Sequence, residues 1–241
     1  MGGRAPDWVV DVGNTRVKAA RLGPDGEIAE VFAVDPDEPD LPLSGDVAAL
    51  SVSRPHADVL LARFGDVPGV RLRILGEERP LPIEIRVVRP EQVGHDRLAN
   101  AAAAHARAGR AAIVADVGTA ITVDAVDGAG AFLGGTIGPG PRAALEGLRA
   151  AAPHLPDPGD LEPDGVLGQT TREAMAAALR YGFAGTLDRI FEEMSEALGG
   201  GPALFLTGGG AEGLAGVVRV DVELVPHLTL EGVRELAGRS A

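Results

Sequence analysis

Two stretches of this chain close an apolar run with the same tripeptide: Trp8-Val9-Val10-Asp11-Val12-Gly13-Asn14-Thr15-Arg16-Val17-Lys18, and Ile113-Val114-Ala115-Asp116-Val117-Gly118-Thr119. In each, a carboxylate stands where a glycine lets the backbone turn sharply and approach a ligand. Gly134-Gly135-Thr136-Ile137-Gly138-Pro139-Gly140 is more backbone than side chain. Read as a turn, it gathers N–H groups in one place, which suits an anion. A third carboxylate, Asp96, lies in Gly94-His95-Asp96-Arg97 at the expected start of a helix, where the macrodipole favours negative charge. Position alone leaves Asp96 either a helix cap or a functional acid. Thr207-Gly208-Gly209-Gly210-Ala211-Glu212 reads as a strand-to-helix loop for phosphate or adenosine, although a plain tight turn also accounts for three glycines.

The elements that must position these residues follow from hydrophobic period. Trp8–Val12, Arg16–Leu22 and Glu27–Val34 read as strands, the last two joined by Gly-Pro-Asp-Gly, a hairpin turn in which Pro presets one angle and Gly supplies the positive one. Residues 35–42 read as an acidic, proline-rich surface connection. Then come a buried strand in 46–53, a short helix in 57–64, and short strands in 71–75 and 83–88. Residues 96–108, rich in alanine, read as a helix ended by Gly109. Ile121, Val123 and Ala125 alternate with Thr122 and Asp124 as in a half-buried strand. A helix follows over 142–152, closed by Pro153, then a proline-rich acidic loop over 155–163. A long helical segment over 171–198 carries an expected break at Tyr181-Gly182, and a strand follows over 203–206. The recurrence of Asp-Val-Gly suggests two related α/β halves.

Composition narrows the partners. A formal charge of −13 in 241 residues argues against nucleic acid, whose phosphates need clustered Lys and Arg. A polyanion such as ATP would have to be held by backbone N–H groups, a few local cations and a metal ion. Cysteine is absent, which excludes disulfides and thiol chemistry. No uninterrupted apolar run approaches a membrane span, and Asp7 ahead of the first apolar stretch does not fit a signal peptide. The expectation is a soluble cytoplasmic protein without a membrane partner.

Taken together, Asp11-x-Gly13-Asn14-Thr15-x-x-Lys18, Gly94-x-Asp96-Arg97, Asp116-x-Gly118-Thr119-Ala120-x-Thr122-x-Asp124 and Gly134-Gly135-x-Ile137-x-Pro139-Gly140, with Thr171 and Gly208-Gly209, resemble the type III pantothenate kinases of the acetate kinase, sugar kinase, Hsp70 and actin superfamily. The resemblance spans nearly the whole chain. It implies an α/β fold of two ribonuclease-H-like (actin-like ATPase) domains, each a mixed sheet flanked by helices, over residues 1–110 and 111–241, with the active site in the cleft between them. It implies ATP-dependent phosphorylation of pantothenate to 4'-phosphopantothenate, the first step toward coenzyme A, by a homodimer. Residue by residue, it implies that Asp11, Val12, Gly13, Asn14, Thr15, Arg16, Val17 and Lys18 form the phosphate hairpin, with Asp11 near Mg²⁺ and Thr119 on the nucleotide. Asp96 resembles the general base. Gly94, His95, Asp96, Arg97 and Thr171 would contact pantothenate, and Asp116 would bind a monovalent cation, K⁺ or NH₄⁺.

Physical chemistry is consistent with these roles. Phosphoryl transfer asks a protein mainly for positioning and charge stabilisation. Magnesium takes one or two carboxylates plus phosphates. A carboxylate can accept the hydroxyl proton, and an arginine can pair with a substrate carboxylate through two donors. Asp124 reads as a strand-end carboxylate, and none of the five histidines as catalytic. One departure is Val87, three residues before Pro90, where some members of the family carry Tyr near the substrate. The alternatives are a kinase of another small hydroxy acid and a non-catalytic regulatory homologue. The long helix over 171–198, with Ala174, Met175, Ala178, Leu179, Leu187, Ile190, Phe191 and Met194 at helical spacing, is the expected dimer face.

Overall fold

The computed structural model describes residues 5–77 and 80–239; the outermost residues of the two expected halves lie outside that range. Two five-stranded sheets carry the fold. The first contains β1 (Trp8–Val12), β2 (Val17–Leu22), β3 (Ile28–Val34), β4 (Gly45–Ser51) and β5 (Val70–Ile74), in the order β3-β2-β1-β4-β5. The second contains β6 (Ala112–Val117), β7 (Ala120–Val126), β8 (Phe132–Pro139), β9 (Ala203–Thr207) and β10 (Glu223–Leu224), in the order β10-β9-β6-β7-β8. In each, an antiparallel meander is followed by parallel strands added on the far side of the first strand. Asp11 and Asp116 occupy equivalent places in this repeated plan, near the ends of β1 and β6.

The helices also recur. Helix α1 (Arg54–Phe64) joins β4 to β5, as α5 (Ala211–Ala215) joins β9 to β10. Helix α2 (His95–Ala108) follows the first sheet, and α6 (Leu228–Arg239) follows the second. Helices α3 (Pro141–Ala151) and α4 (Thr171–Ala197) are inserted between β8 and β9. The alanine run of α2 has a packing reason: seven consecutive residues, Leu98–Ala104, are buried, because the helix touches strands of both sheets and lies against α6. Larger side chains would hold those layers apart. The contact with α6 is so close that a Cβ on Gly232 would stand 2.0 Å from the Ala99 carbonyl oxygen. Gly109, in the left-handed region at φ 62, ends α2 as expected.

Three local expectations are corrected. Residues 83–88 form no strand but a single bridge, Ile85 to Phe132, because prolines at 80, 82 and 90 remove ladder donors at both ends. The glycines from Gly134 to Pro139 are not an open turn. They lie in β8, paired with β7, so their backbone serves the ladder. Small size is what this strand requires, since a Cβ on Gly135 would fall 2.0 Å from the Val123 carbonyl oxygen. Helix α4 runs unbroken through Tyr181 and Gly182. Gly182 is exposed, so its cost is one unfavourable helix residue of about 1 kcal/mol. The buried Ala184, Leu187 and Phe191, and a capping box between Thr170 and Glu173, outweigh it. Among the described residues no helix is long and apolar enough to cross a membrane.

Candidate active site

Asp11 faces Lys18 across the first hairpin, the two being register partners on β1 and β2. Between them the chain turns tightly, Gly13 N–H donating to the Arg16 carbonyl at 3.1 Å, and the tip residues Asn14, Thr15 and Arg16 are exposed. In the second half, Gly118 N–H donates to the Ala120 carbonyl at 2.9 Å and turns the chain after Asp116 and Val117. The two tips meet: the hydroxyls of Thr15 and Thr119 are 3.2 Å apart. The expected phosphate hairpin and the expected nucleotide contact therefore lie on opposite sides of one cleft.

The triple glycine reaches the same place. Gly208 has φ +96, and a Cβ there would lie 2.4 Å from Asp116 Oδ1 and 2.6 Å from both the amide nitrogen and the carbonyl oxygen of Val117. Only glycine allows the β9–α5 turn to wrap the end of β6 this closely. Gly210 N–H donates to the Val117 carbonyl at 2.9 Å.

At the N-terminus of α2, Asp96 Oδ1 accepts the Arg97 N–H at 2.8 Å. Burial pushes its pKa above the ordinary carboxylate value, against the pull of Arg97. Burial likewise raises Asp116, with Asn100 opposing and Asp96 adding to the shift. Asp11 is pushed up to about 7 by burial and by the charge of Asp96, against Lys18, with Asp116 adding further. Asp11, Asp96 and Asp116 thus sense one another, and Lys18 is the cation that acts on Asp11 and Asp116. Such a surplus of buried negative charge fits a site completed by bound cations. Among the described residues no group of three or more His, Cys, Asp or Glu could hold a metal by itself.

Arg97 is not left free. Its Nε lies 3.0 and 3.1 Å from the two oxygens of Asp124, and its Nη2 also bonds Asp124. The guanidinium lies over the Phe132 ring, 5.5 Å from the centroid. Asp124, 1% exposed, is therefore a structural partner of the site, beyond its reading as a strand-end carboxylate. Burial, against the Arg97 bonds, brings its pKa to about 6. Beside Gly94 and His95 a cavity of about 320 Å³ opens, walled also by Ser51, Ser53 and Glu77. Thr171 stands elsewhere, lining an apolar groove of about 320 Å³ with Leu145, Leu148, Met175 and Leu179 between α3 and α4.

Sequence reasoning missed two contributors. His56 Nδ1 is 3.1 Å from the Gly13 carbonyl oxygen, so that nitrogen carries the proton and steadies the hairpin. Asn100 Nδ2 donates to Asp116 Oδ2 at 2.9 Å. For Asn100 a signal existed, one turn along the helix from Asp96; for His56 none did.

The overall architecture is shared with a conserved protein assigned to the Baf family of transcriptional activators from Campylobacter jejuni, at a TM-score of 0.64 and 17% identity, covering 97% of this chain and 98% of that one. A ROK family glucokinase from Streptomyces griseus, solved with glucose and AMPPNP, aligns at a TM-score of 0.51 and 14% identity over 97% of both chains. At those identities the likeness shows the fold alone, an actin-like fold with a mixed sheet in each half. In sequence, the type III pantothenate kinase of Anaeromyxobacter sp. (strain K) is 40% identical over 151 residues, 63% of this chain and 59% of that protein. That of Moorella thermoacetica (strain ATCC 39073 / JCM 9320) is 37% identical over 165 residues, 67% of this chain and 63% of that protein. The matches thus span less than two thirds of these relatives. The family model described as type III pantothenate kinase covers residues 8–193, most of the chain and every site residue named above except those of the Gly208 turn. The chain belongs to the type III pantothenate kinase family.

Proposed function

We propose that the protein transfers the γ-phosphoryl group of ATP to the terminal hydroxyl of pantothenate. The observation that carries this reading is the convergence of Asp11, Asp96 and Asp116 with Lys18 beside two glycine turns and a helix N-terminus. A site for phosphate alone would need no buried carboxylates; a kinase needs one for a proton and others for cations. In this reading Asp96 takes the hydroxyl proton as the oxygen attacks phosphorus, the bond from the γ-phosphorus to the bridging oxygen breaks, and ADP leaves. The Gly13–Arg16 turn and Lys18 hold phosphate oxygens, and Thr119 contacts the nucleotide. Asp11 would hold Mg²⁺ together with those oxygens, and Asp116 a monovalent cation, K⁺ or NH₄⁺; when bound, these ions offset phosphate charge that this acidic protein offsets poorly.

Arg97 keeps Nη1 to meet the pantothenate carboxylate while Asp124 holds its other donors in place. Gly94 and His95 border the adjoining cavity. Thr171 lines the groove between α3 and α4, and in this reading it contacts pantothenate where that groove meets a second subunit. The reading takes the protein as a homodimer with active sites beside the interface, and residues 1–110 and 111–241 as the two halves that enclose each site.

An ADP-release assay with pantothenate and a panel of other small hydroxy acids tests the reading. Pantothenate-dependent turnover, faster in potassium or ammonium than in sodium, is expected. ATP binding without turnover of any acceptor would favour a regulatory homologue, and turnover of another hydroxy acid alone would reassign the substrate.

A further inference from the structure

The buried polar side chains behind the cleft lead away from it to the C-terminal helix. Asn100 is 1% exposed and Thr229, in the first turn of α6, is 9% exposed. Asn100 donates through Nδ2 to Asp116 Oδ2, and its Oδ1 accepts the Thr229 hydroxyl, both at 2.9 Å. Both ends of the carboxamide are therefore used. Turned over, it would set its oxygen against the Asp116 carboxylate and lose the bond that holds that group. Without the hydroxyl, Oδ1 would be a buried acceptor with no partner, and the amide would have to tilt toward another donor. The other Asp116 oxygen, Oδ1, is directed at the Gly208 turn, on the cleft side. The close approach of α6 to α2 at Gly232 and Ala99 is what brings Thr229 within reach.

We propose that Thr229 is a positioning residue of the active site: it locks the Asn100 carboxamide in the orientation that aims the Asp116 carboxylate into the cleft. The proposal rests on the reading of Asp116 as a carboxylate of the phosphate site.

The sequence supplies a direct probe, because it holds only two asparagines, Asn14 and Asn100. Selective ¹⁵N-asparagine labelling therefore yields two side-chain amide pairs, with exposed Asn14 as the internal reference. In the wild-type chain the Asn100 protons are expected to exchange with solvent roughly a hundredfold more slowly than those of Asn14, the protection of a buried bond. Thr229→Val keeps the shape and deletes the hydroxyl. It is expected to abolish that protection and to lower kcat about 10- to 100-fold, the usual effect of losing an outer partner of a metal-binding carboxylate, with KM for pantothenate unchanged. Thr229→Ser should restore both. Equal exchange of the two pairs in the wild type overturns the proposal without any variant, so a failure of Thr229→Val to fold does not shelter it. A folded Thr229→Val with full kcat, or with a protected Asn100 amide, also overturns it. A wild-type chain that does not phosphorylate pantothenate removes the functional reading instead, and the exchange data then decide the relay alone.

Discussion

At the scale of single residues, Asp96 and Asp11 make opposite demands. As the proposed base, Asp96 has to be free to accept a proton, and Asp96→Asn is expected to lower kcat by roughly 10²–10⁴-fold, the range for a positioned base, with ATP affinity nearly unchanged by calorimetry. Asp11 is instead a cost to the cation-free protein. Its pKa rises from 3.8 to about 7 on folding, so the native state binds more protons than the unfolded chain between those values. The stability this confers is complete below about 4 and is lost as pH rises through about 7. Asp96, Asp116 and Asp124 shift in the same direction and add to the slope. In Mg²⁺-free buffer, Asp11→Asn should therefore raise Tm above that of the wild type at pH 8 and leave it nearly unchanged at pH 4, as followed by circular dichroism. Equal displacement at both values would mean that Asp11 is not carrying this charge penalty. Asp124→Asn leaves Arg97 buried with a weaker partner; the expected result is a raised KM for pantothenate with a smaller change in KM for ATP.

At the scale of elements, the sheets were legible where strands alternate in period and end in turn residues, and opaque where glycine could mean either a turn or tight packing. The Gly134–Gly140 stretch reads as a loop by composition because periodicity cannot reveal that β7 passes within touching distance. The structure separates glycines by what a methyl would meet. Gly135→Ala, 2.0 Å from a backbone oxygen, is expected to destabilise by about 1–3 kcal/mol. Gly138→Ala, with nothing within 4 Å, should change stability by less than about 0.5 kcal/mol. Urea midpoints of the two variants check this, and similar values would show that β8 does not need its small residues for packing. Asp11, Asp96 and Asp116 were legible because a carboxylate before a glycine turn, or at a helix start, is a local pattern. The Arg97–Asp124 pair and the His56–Gly13 bond were not, since each joins positions far apart in sequence that only the fold brings together. The long α4 misled for a related reason: Leu187 and Phe191 read as a dimer face but are buried against the chain's own second sheet.

At the scale of the whole molecule, apolar surface of α4 remains open in its first turns, where exposed Ala174 and Ala178 and half-buried Leu179 line the groove shared with α3. For the proposed homodimer, Leu179→Glu is expected to halve the mass seen by light scattering and lower activity in parallel; a fully active monomer of the unmutated chain would overturn that proposal. The last helix has a consequence of another kind. Helix α6 lies on α2 and on strands β1, β2 and β4, so a segment synthesised late covers strands synthesised well before it. At about 5–20 residues per second, the opening sheet leaves the ribosome on the order of ten seconds before its cover exists. During that interval Val9, Ala48 and Leu50, which share a core with Leu230, Val233 and Leu236, have no partner from α6. Until α6 is made, that apolar face of the first sheet stays open to water and to other chains, and a stop codon shortly before Leu228 would leave it uncovered for good.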